Sequence, residues 1–285
     1  MTAASPIFRT IGIVGLGLIG GSVALAARRA WPSCVIIGVD RPEVVDAAIR
    51  QGIVDGGGAL ATLASADVVV LAAPVQQNLA VLPQLASVVS AAAVVTDTGS
   101  TKRDIVEAAR QVPGLTFVGG HPLGGAAAAG LSHARADLFD DRPWLFTPPS
   151  GDAASAALAR LTAFAQALGS TVQVVEVEAH DHWLAFISHL PQMTASALLS
   201  VVGDAVGDEG LALAGRGLID TTRLAGSPSP IWTEIAASNA DEIGPALDIL
   251  IARLQDLRHD LRSGQRIRDT FDRAGHWRQR LLSRG

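Results

Sequence analysis

The run Ile11–Gly12–Ile13–Val14–Gly15–Leu16–Gly17–Leu18–Ile19–Gly20–Gly21–Ser22 constrains this chain more than any other segment. An apolar, strand-like stretch feeds a Gly-x-Gly-x-x-Gly turn. An alanine-rich helical stretch follows at once, and in that context the glycine triplet marks a dinucleotide site. Gly15 permits the tight turn, Gly17 the approach of a pyrophosphate, and Gly20 the packing of helix on strand. The helix start at Leu18 and Ile19 offers free N–H groups to the phosphates. A second apolar run, Cys34 to Asp40, ends in an acid twenty residues past Gly20. Asp40 is placed to accept hydrogen bonds from an adenosine ribose and opposes a 2′-phosphate, which favours NAD. The neighbouring Arg41 leaves NADP as the alternative cofactor.

The 285 residues suffice for one large or two ordinary domains. Apolar runs are of strand length, and none is expected to reach the roughly 20 residues of a bilayer span. No signal segment is expected before the first strand. The single cysteine, Cys34, suits a buried position in a reducing cytoplasm. A net charge of −5 makes nucleic acid a poor partner. The nine arginines within 253–284 are interleaved with four aspartates, which reads as a solvated helix with internal ion pairs. The chain has no tyrosine, so it cannot use the Tyr–Lys proton shuttle of short-chain dehydrogenases.

Residues 10–120 alternate strand and helix patterns, the mark of a parallel sheet with crossover helices. Strands are expected at 11–15, 34–40, 67–73, 92–97 and 115–119. Further strands are expected at Trp144–Thr147 and near 171–176, with a helix near 153–168 between them. Gly56–Gly58 reads as a loop. From about 177 the pattern becomes helical, near 178–203, 207–225, 230–262 and 265–283. A dinucleotide-binding domain over 1–176 and a helical domain over 177–285 are therefore expected. Ligands of such sheets lie at the carboxyl ends of the strands, which points to Pro74–Val75, Thr98–Lys102 and Gly120–Pro122, with Ala73 and Pro74 expected as cofactor contacts.

Four clusters carry candidate chemistry. In Asp97–Thr98–Gly99–Ser100–Thr101–Lys102, a hydroxyl either caps the next helix or serves a site. Gly119–Gly120–His121–Pro122 holds a histidine in a rigid exposed turn past a strand. In His180–Asp181–His182–Trp183–Leu184–Ala185–Phe186–Ile187–Ser188–His189–Leu190–Pro191 the histidine spacing does not match a metal site. Asp181 suits a helix cap, and Pro191 is expected to kink the helix. His189 beside that kink is either a core histidine or a site residue. Arg223, ahead of Ser227–Pro228–Ser229–Pro230, either neutralises a helix dipole or clamps a carboxylate bidentately.

In this order the clusters resemble the prephenate dehydrogenase family, which includes arogenate dehydrogenases. The resemblance is carried by Gly15–Ser22, Asp97–Lys102, Gly119–Pro122, His180–Asp181, Ser188–Pro191, and Arg223–Ala225 with Trp232. It spans residues 11 to about 239. It implies a Rossmann-type doubly wound α/β sheet followed by an all-helical dimerisation domain, a cytoplasmic homodimer, and NAD-dependent oxidative decarboxylation of prephenate to 4-hydroxyphenylpyruvate in tyrosine biosynthesis. No chorismate mutase or regulatory domain is expected within this length. The resemblance makes His121 the catalytic histidine, Ser100 a serine beside the reacting hydroxyl, Arg223 the carboxylate-binding arginine and His189 a substrate contact. The loop Leu123–Gly130 departs from the family pattern: it carries alanines in place of a carboxylate and a base. An ammonium-bearing substrate such as arogenate would gain from an acid there, so the loop favours prephenate. Arogenate, aminodeoxyprephenate, or NAD sensing without turnover are the rival functions. A lysine-dependent hydroxyacid dehydrogenase is disfavoured, because 177–252 contains no lysine.

Overall fold

The computed structural model describes residues 5–124 and 129–283. The chain runs β1 (Thr10–Val14), α1 (Leu18–Ala30), β2 (Val35–Val39), α2 (Pro42–Arg50), β3 (Gly56–Gly57), β4 (Val68–Leu71), α3 (Val75–Leu85), β5 (Val94–Asp97), α4 (Arg103–Arg110), β6 (Thr116–Pro122), β7 (Pro143–Thr147), α5 (Asp152–Ala167) and β8 (Thr171–Val174). Helices follow: α6 (Val177–Leu184), a π turn (Ala185–His189), α7 (Leu190–Leu211), α8 (Arg216–Thr221), a 3-10 turn (Arg223–Gly226), α9 (Ser229–Ser238), α10 (Ala240–His259) and α11 (Gln265–Leu282). The chain packs as two compact units, residues 1–239 and 240–285.

The sheet order is β3-β2-β1-β4-β5-β6-β7-β8. All neighbours are parallel except β6 and β7, which are antiparallel. Successive side chains of a strand face opposite sides, and the strands use both. Ile11, Ile13, Val68 and Val70 pack in one core with Val23, Ala27 and Phe164 of α1 and α5. Val14, Val69, Leu71 and Val95 pack in the other with Leu82, Leu85, Ile105 and Val106 of α3 and α4. Burial on both faces explains the unbroken apolar strands. The order reverses between β1 and β4, and there the glycine turn stands at the carboxyl edge.

The strands match the expected positions with two differences, and a third difference lies among the helices. Gly56–Gly57, expected as loop, forms a short edge strand beside Ile37–Gly38; glycine carries no side-chain pattern to betray it. β6 does not stop at Gly119 but runs to Pro122, because β7 pairs with it antiparallel, His121 opposite Leu145. His121 is accordingly a buried strand residue, 7% exposed, and not part of an exposed turn. Pro191 stands just after the start of α7, within a helical stretch that continues from Val177, and the irregularity falls in the π turn Ala185–His189 just before the proline.

By length and composition, Val177–Leu211 reaches what a bilayer crossing needs (35 residues, mean hydropathy 1.3 in its most apolar window), a criterion the sequence analysis expected no segment to meet. His180, Asp181 and His189 interrupt its apolar run and are buried.

At the end of β5, Asp97 and Lys102 form a buried ion pair, each almost fully inaccessible. Asp97 also accepts the N–H groups of Gly99 (2.8 Å) and Gly120 (2.9 Å). The pair thus closes the turn after β5 and ties it to β6. Replacing one partner of such a pair leaves an uncompensated charge. Lys102→Met should lower the unfolding free energy by about 3 kcal/mol, measured by chemical denaturation at pH 7, with Asp97→Asn/Lys102→Met recovering part of the loss.

Candidate active site

The glycine turn is built to leave room. Gly15 has φ +92°, and a Cβ there would stand 2.5 Å from Ala73 N. A Cβ on Gly20 would stand 1.9 Å from Gly15 O. Both positions therefore admit only glycine. Gly17 is different: a Cβ there meets nothing within 4 Å. The turn is open on the side where a pyrophosphate would lie. Gly17 is also the N-cap of α1, which has no side-chain cap and no acid in its first turn. The N–H groups over Leu18 and Ile19 thus stay available for an anion. Asp40 follows β2 and accepts the N–H of Leu16 (2.7 Å) and of Arg41 (2.7 Å), which fixes its carboxylate over the turn. The exposed Arg41 guanidinium lies 3.4 Å from Glu43 and 3.9 Å from Asp40. Its charge is already countered, which weakens its claim on a 2′-phosphate. Asn78 was missed in the sequence. It is buried on α3, and its amide donates to Ala73 O (2.8 Å). That bond shapes the turn of the half-buried Ala73 and the exposed Pro74 beside Gly15. These residues fit a dinucleotide.

A cavity of about 350 Å³ is lined by Ser100, His121, Pro122, Leu123, Gly124, Leu184, Ile187 and Ser188. Its volume falls in the range of small-molecule sites. The structure thus brings together two predicted residues, Ser100 and His121, with the flanks of the segment that carries His189. No carboxylate lines it among the described residues. Of the loop Leu123–Gly130, residues 125–128 lie outside the described residues.

His121 is not alone. Its Nδ1 lies 3.0 Å from His180 Nε2, and His180 Nδ1 lies 2.8 Å from Asp181 Oδ1. Asp181 further accepts the N–H groups of Lys102 (2.8 Å) and Arg103 (2.9 Å), and Arg103 Nε lies 3.5 Å from it. Asp181 therefore caps α4, not its own helix. The N-cap residue of α4, Lys102, makes no side-chain cap bond, and the Thr101 hydroxyl pairs with that of Ser238 (2.9 Å). Burial alone would raise the Asp181 carboxyl. Hydrogen bonds from His180 and from the Arg103 and Lys102 amides outweigh it and hold the group below the usual carboxylate range. Burial pushes His121 well down, helped by His180, Lys102 and His189. Burial also lowers His180, partly offset by its bond to Asp181. Both rings are therefore neutral at pH 7.

His189 is fully buried. Burial lowers it to about 4, against the opposing pull of Asp181. Asn239 donates through Nδ2 to Asp181 O (2.9 Å) and faces His189 Nδ1 at 3.2 Å. The ring meets Trp232 edge-on at 6.0 Å. His189 Nε2 has no hydrogen-bond partner among the described residues. Arg223 stands apart from this assembly. It is exposed, starts the 3-10 turn rather than ending a helix, and is absent from the cavity lining. Its turn is fastened to α7 by Gln192, which bonds Leu224 O (2.8 Å) and Ser227 (3.2 Å). The guanidinium has no ion-pair partner among the described residues. His180, Asp181, Lys102, Asn78 and Asn239 were not singled out as site residues. The Asp97–Lys102 cluster and the His180–Asp181 doublet carried the signal for three of them, and nothing in the sequence marked Asn78 or Asn239.

Comparison with known proteins agrees with this geometry. The prephenate dehydrogenase nucleotide-binding domain matches residues 23–174, and the prephenate dehydrogenase dimerization domain matches residues 176–273. The prephenate dehydrogenase of Lactococcus lactis subsp. cremoris is 33% identical over 91% of this chain and 77% of its own. The A. aeolicus prephenate dehydrogenase, solved with hydroxyphenyl propionate and NAD+, superposes with a TM-score of 0.88 at 27% identity, over 99% of this chain and 100% of that one. The Synechocystis arogenate dehydrogenase superposes with a TM-score of 0.80 at 31% identity, over 95% and 99%. With both domain models matched in order over most of its length, the chain belongs to the prephenate dehydrogenase family.

Proposed function

We propose that this chain oxidatively decarboxylates prephenate to 4-hydroxyphenylpyruvate, with His121 as the group that takes the hydroxyl proton. The observation that carries the reading is a neutral, buried imidazole lining a small-molecule cavity beyond the sheet's carboxyl edge, with Ser100 beside it. NAD, when bound, accepts the hydride. The open glycine turn and the α1 N-terminus would hold its pyrophosphate, and Asp40 its ribose. The proton of the ring hydroxyl passes to His121 as its carbon is oxidised, and loss of CO2 aromatises the ring. The protein's share is to orient the substrate, accept that proton and exclude water. Arg223 is the partner we assign to a substrate carboxylate, and His189 to a substrate contact. We place the cofactor on 1–176, and the substrate-closing and dimerising elements on 177–285. α11 has no buried residue and exposes Phe271, Trp277, Leu281 and Leu282, a face that suits a second copy. A cytoplasmic homodimer is the expected form.

Arogenate is the second reading, favoured by the Synechocystis relative. The absence of a carboxylate among the described lining residues favours prephenate, since an ammonium group would lack a counter-charge. Reduced-cofactor absorbance with each substrate against NAD and NADP decides the matter. Prephenate with NAD should give the highest kcat/KM. Faster turnover of arogenate overturns the substrate assignment, and no turnover of either points to a non-catalytic sensor.

Four measurements probe the residues. His121→Asn should retain NAD affinity and lose about 10²- to 10⁴-fold in kcat. Because burial holds His121 below its ordinary value, the ring stays neutral as the pH falls past 6.5. The acid limb of kcat/KM should therefore lie below that pH. Arg223→Ala should raise KM for prephenate by about 30-fold or more, the cost of losing a charged partner, with little change for NAD. Gly17→Ala should leave the melting temperature unchanged, since its Cβ meets nothing, yet weaken NAD binding by about tenfold or more. An unchanged NAD affinity would place the cofactor elsewhere.

A further inference from the structure

His121 can serve as a base only if its proton sits on the correct nitrogen. A neutral imidazole has one N–H and one lone pair, and its neighbours choose between them. The neighbours here form a chain with a defined direction. Asp181 already accepts two backbone N–H groups and faces the Arg103 guanidinium. An ionised carboxylate donates nothing, so the bond to His180 Nδ1 must come from an N–H on that ring. Neutral His180 then presents its lone pair on Nε2. That nitrogen faces His121 Nδ1 at 3.0 Å, so His121 Nδ1 must donate.

We propose that His180 and Asp181 are the positioning pair of the reaction: they lock the His121 proton on Nδ1 and leave its lone pair on Nε2, the ring nitrogen with no partner among the described residues. Charge balance supports the direction. The groups around the two rings are Asp97 and Lys102 of the β5–α4 turn, Asp181 of α6, Arg103 of α4 and His189 of the π turn. Asp97 is matched by Lys102, and Asp181 by Arg103 and the α4 N-terminus. A proton added to His180 would be an unmatched buried cation beside Lys102. During turnover the proton leaves the substrate oxygen, the O–H bond breaks, and an N–H bond forms at His121 Nε2. The imidazolium so made keeps its Nδ1–H bond to His180, which keeps its bond to Asp181. The carboxylate stabilises the cation through the neutral ring, and no second proton needs to move.

This inference rests on reading His121 as the base, so its test begins without substrate. Histidine-selective 15N labelling of the wild-type protein at pH 7.5 should show His121 Nδ1 as protonated and Nε2 as unprotonated. A protonated Nε2 overturns the proposal, whatever the enzyme's substrate proves to be. In His180→Phe the acceptor is gone, and the two His121 nitrogens should move toward averaged signals. kcat should fall about 10- to 100-fold, with KM for prephenate and affinity for NAD within about threefold. In His180→Gln the side-chain carbonyl can accept from His121 Nδ1, and part of kcat should return. Wild-type kcat in His180→Phe, or equal loss in Phe and Gln variants that melt like wild type, overturns it. If the variants do not fold, the wild-type spectrum alone decides.

Discussion

The carboxylate of Asp181 is the joint on which the site is hung. It lies at 0% exposure, where an unpaired charge costs several kcal/mol, and it is compensated from three directions. The α4 amides come from the sheet side, His180 from its own helix, and the Arg103 guanidinium from the rim. Its backbone oxygen holds Asn239, which in turn faces His189. One side chain thus decides where α4 begins and where α6 stands against it. It also decides how two histidines are oriented. The capping of a helix by a residue almost eighty positions away is what makes the β5–α4 turn and the α6 segment a single object.

Three histidines are buried and neutral around that joint: burial disfavours the charged form of each, against the pull of nearby carboxylates at His180 and His189, and with the help of Lys102 and the other two rings at His121. Neutrality at working pH is what a proton acceptor needs, and a low dielectric strengthens every bond the acceptor makes. The π turn Ala185–His189 contributes here. Inserting one residue's worth of rotation into a helix resets which side chains face a given direction, and such turns recur at functional sites. In this chain Ile187 and Ser188 line the cavity while His189 turns inward against Trp232 and Asn239.

Much of the fold was legible because it is written locally. The glycine turn, the strands other than β3 and the change to helix at about 177 follow from periodicity and turn residues alone. The edge pair Gly56–Gly57 was not legible, since glycines show no alternation. The extension of β6 through His121 depends on its pairing with β7, a partner more than twenty residues away. The site divides in the same manner. Gly15, Gly17, Gly20 and Asp40 stand where the motif put them. His121 and Ser100 share one cavity. The bonds that give His121 its character, to His180 and through it to Asp181, join residues about sixty apart in sequence, and no spacing rule reaches that far. Arg223 was marked by its motif position alone, and it sits on an exposed turn that does not line this cavity.

The Asp97–Lys102 pair shows how closely folding and chemistry are joined here. Buried ion pairs are rarely the most stable solution, and an apolar pair of equal volume often does as well or better. An apolar pair could not accept the Gly99 and Gly120 amides, however. Those two bonds set the backbone immediately before Ser100 and immediately before His121. The pair is therefore better understood as a register device than as a source of stability. It holds the β5–α4 turn and the β6 strand at a fixed separation, so that a hydroxyl from the turn and an imidazole from the strand border one cavity. The positive charge of Lys102 also helps keep His121 neutral. The cost of burying two charges is thus offset by the placement and protonation state of the one side chain on which the proposed chemistry turns.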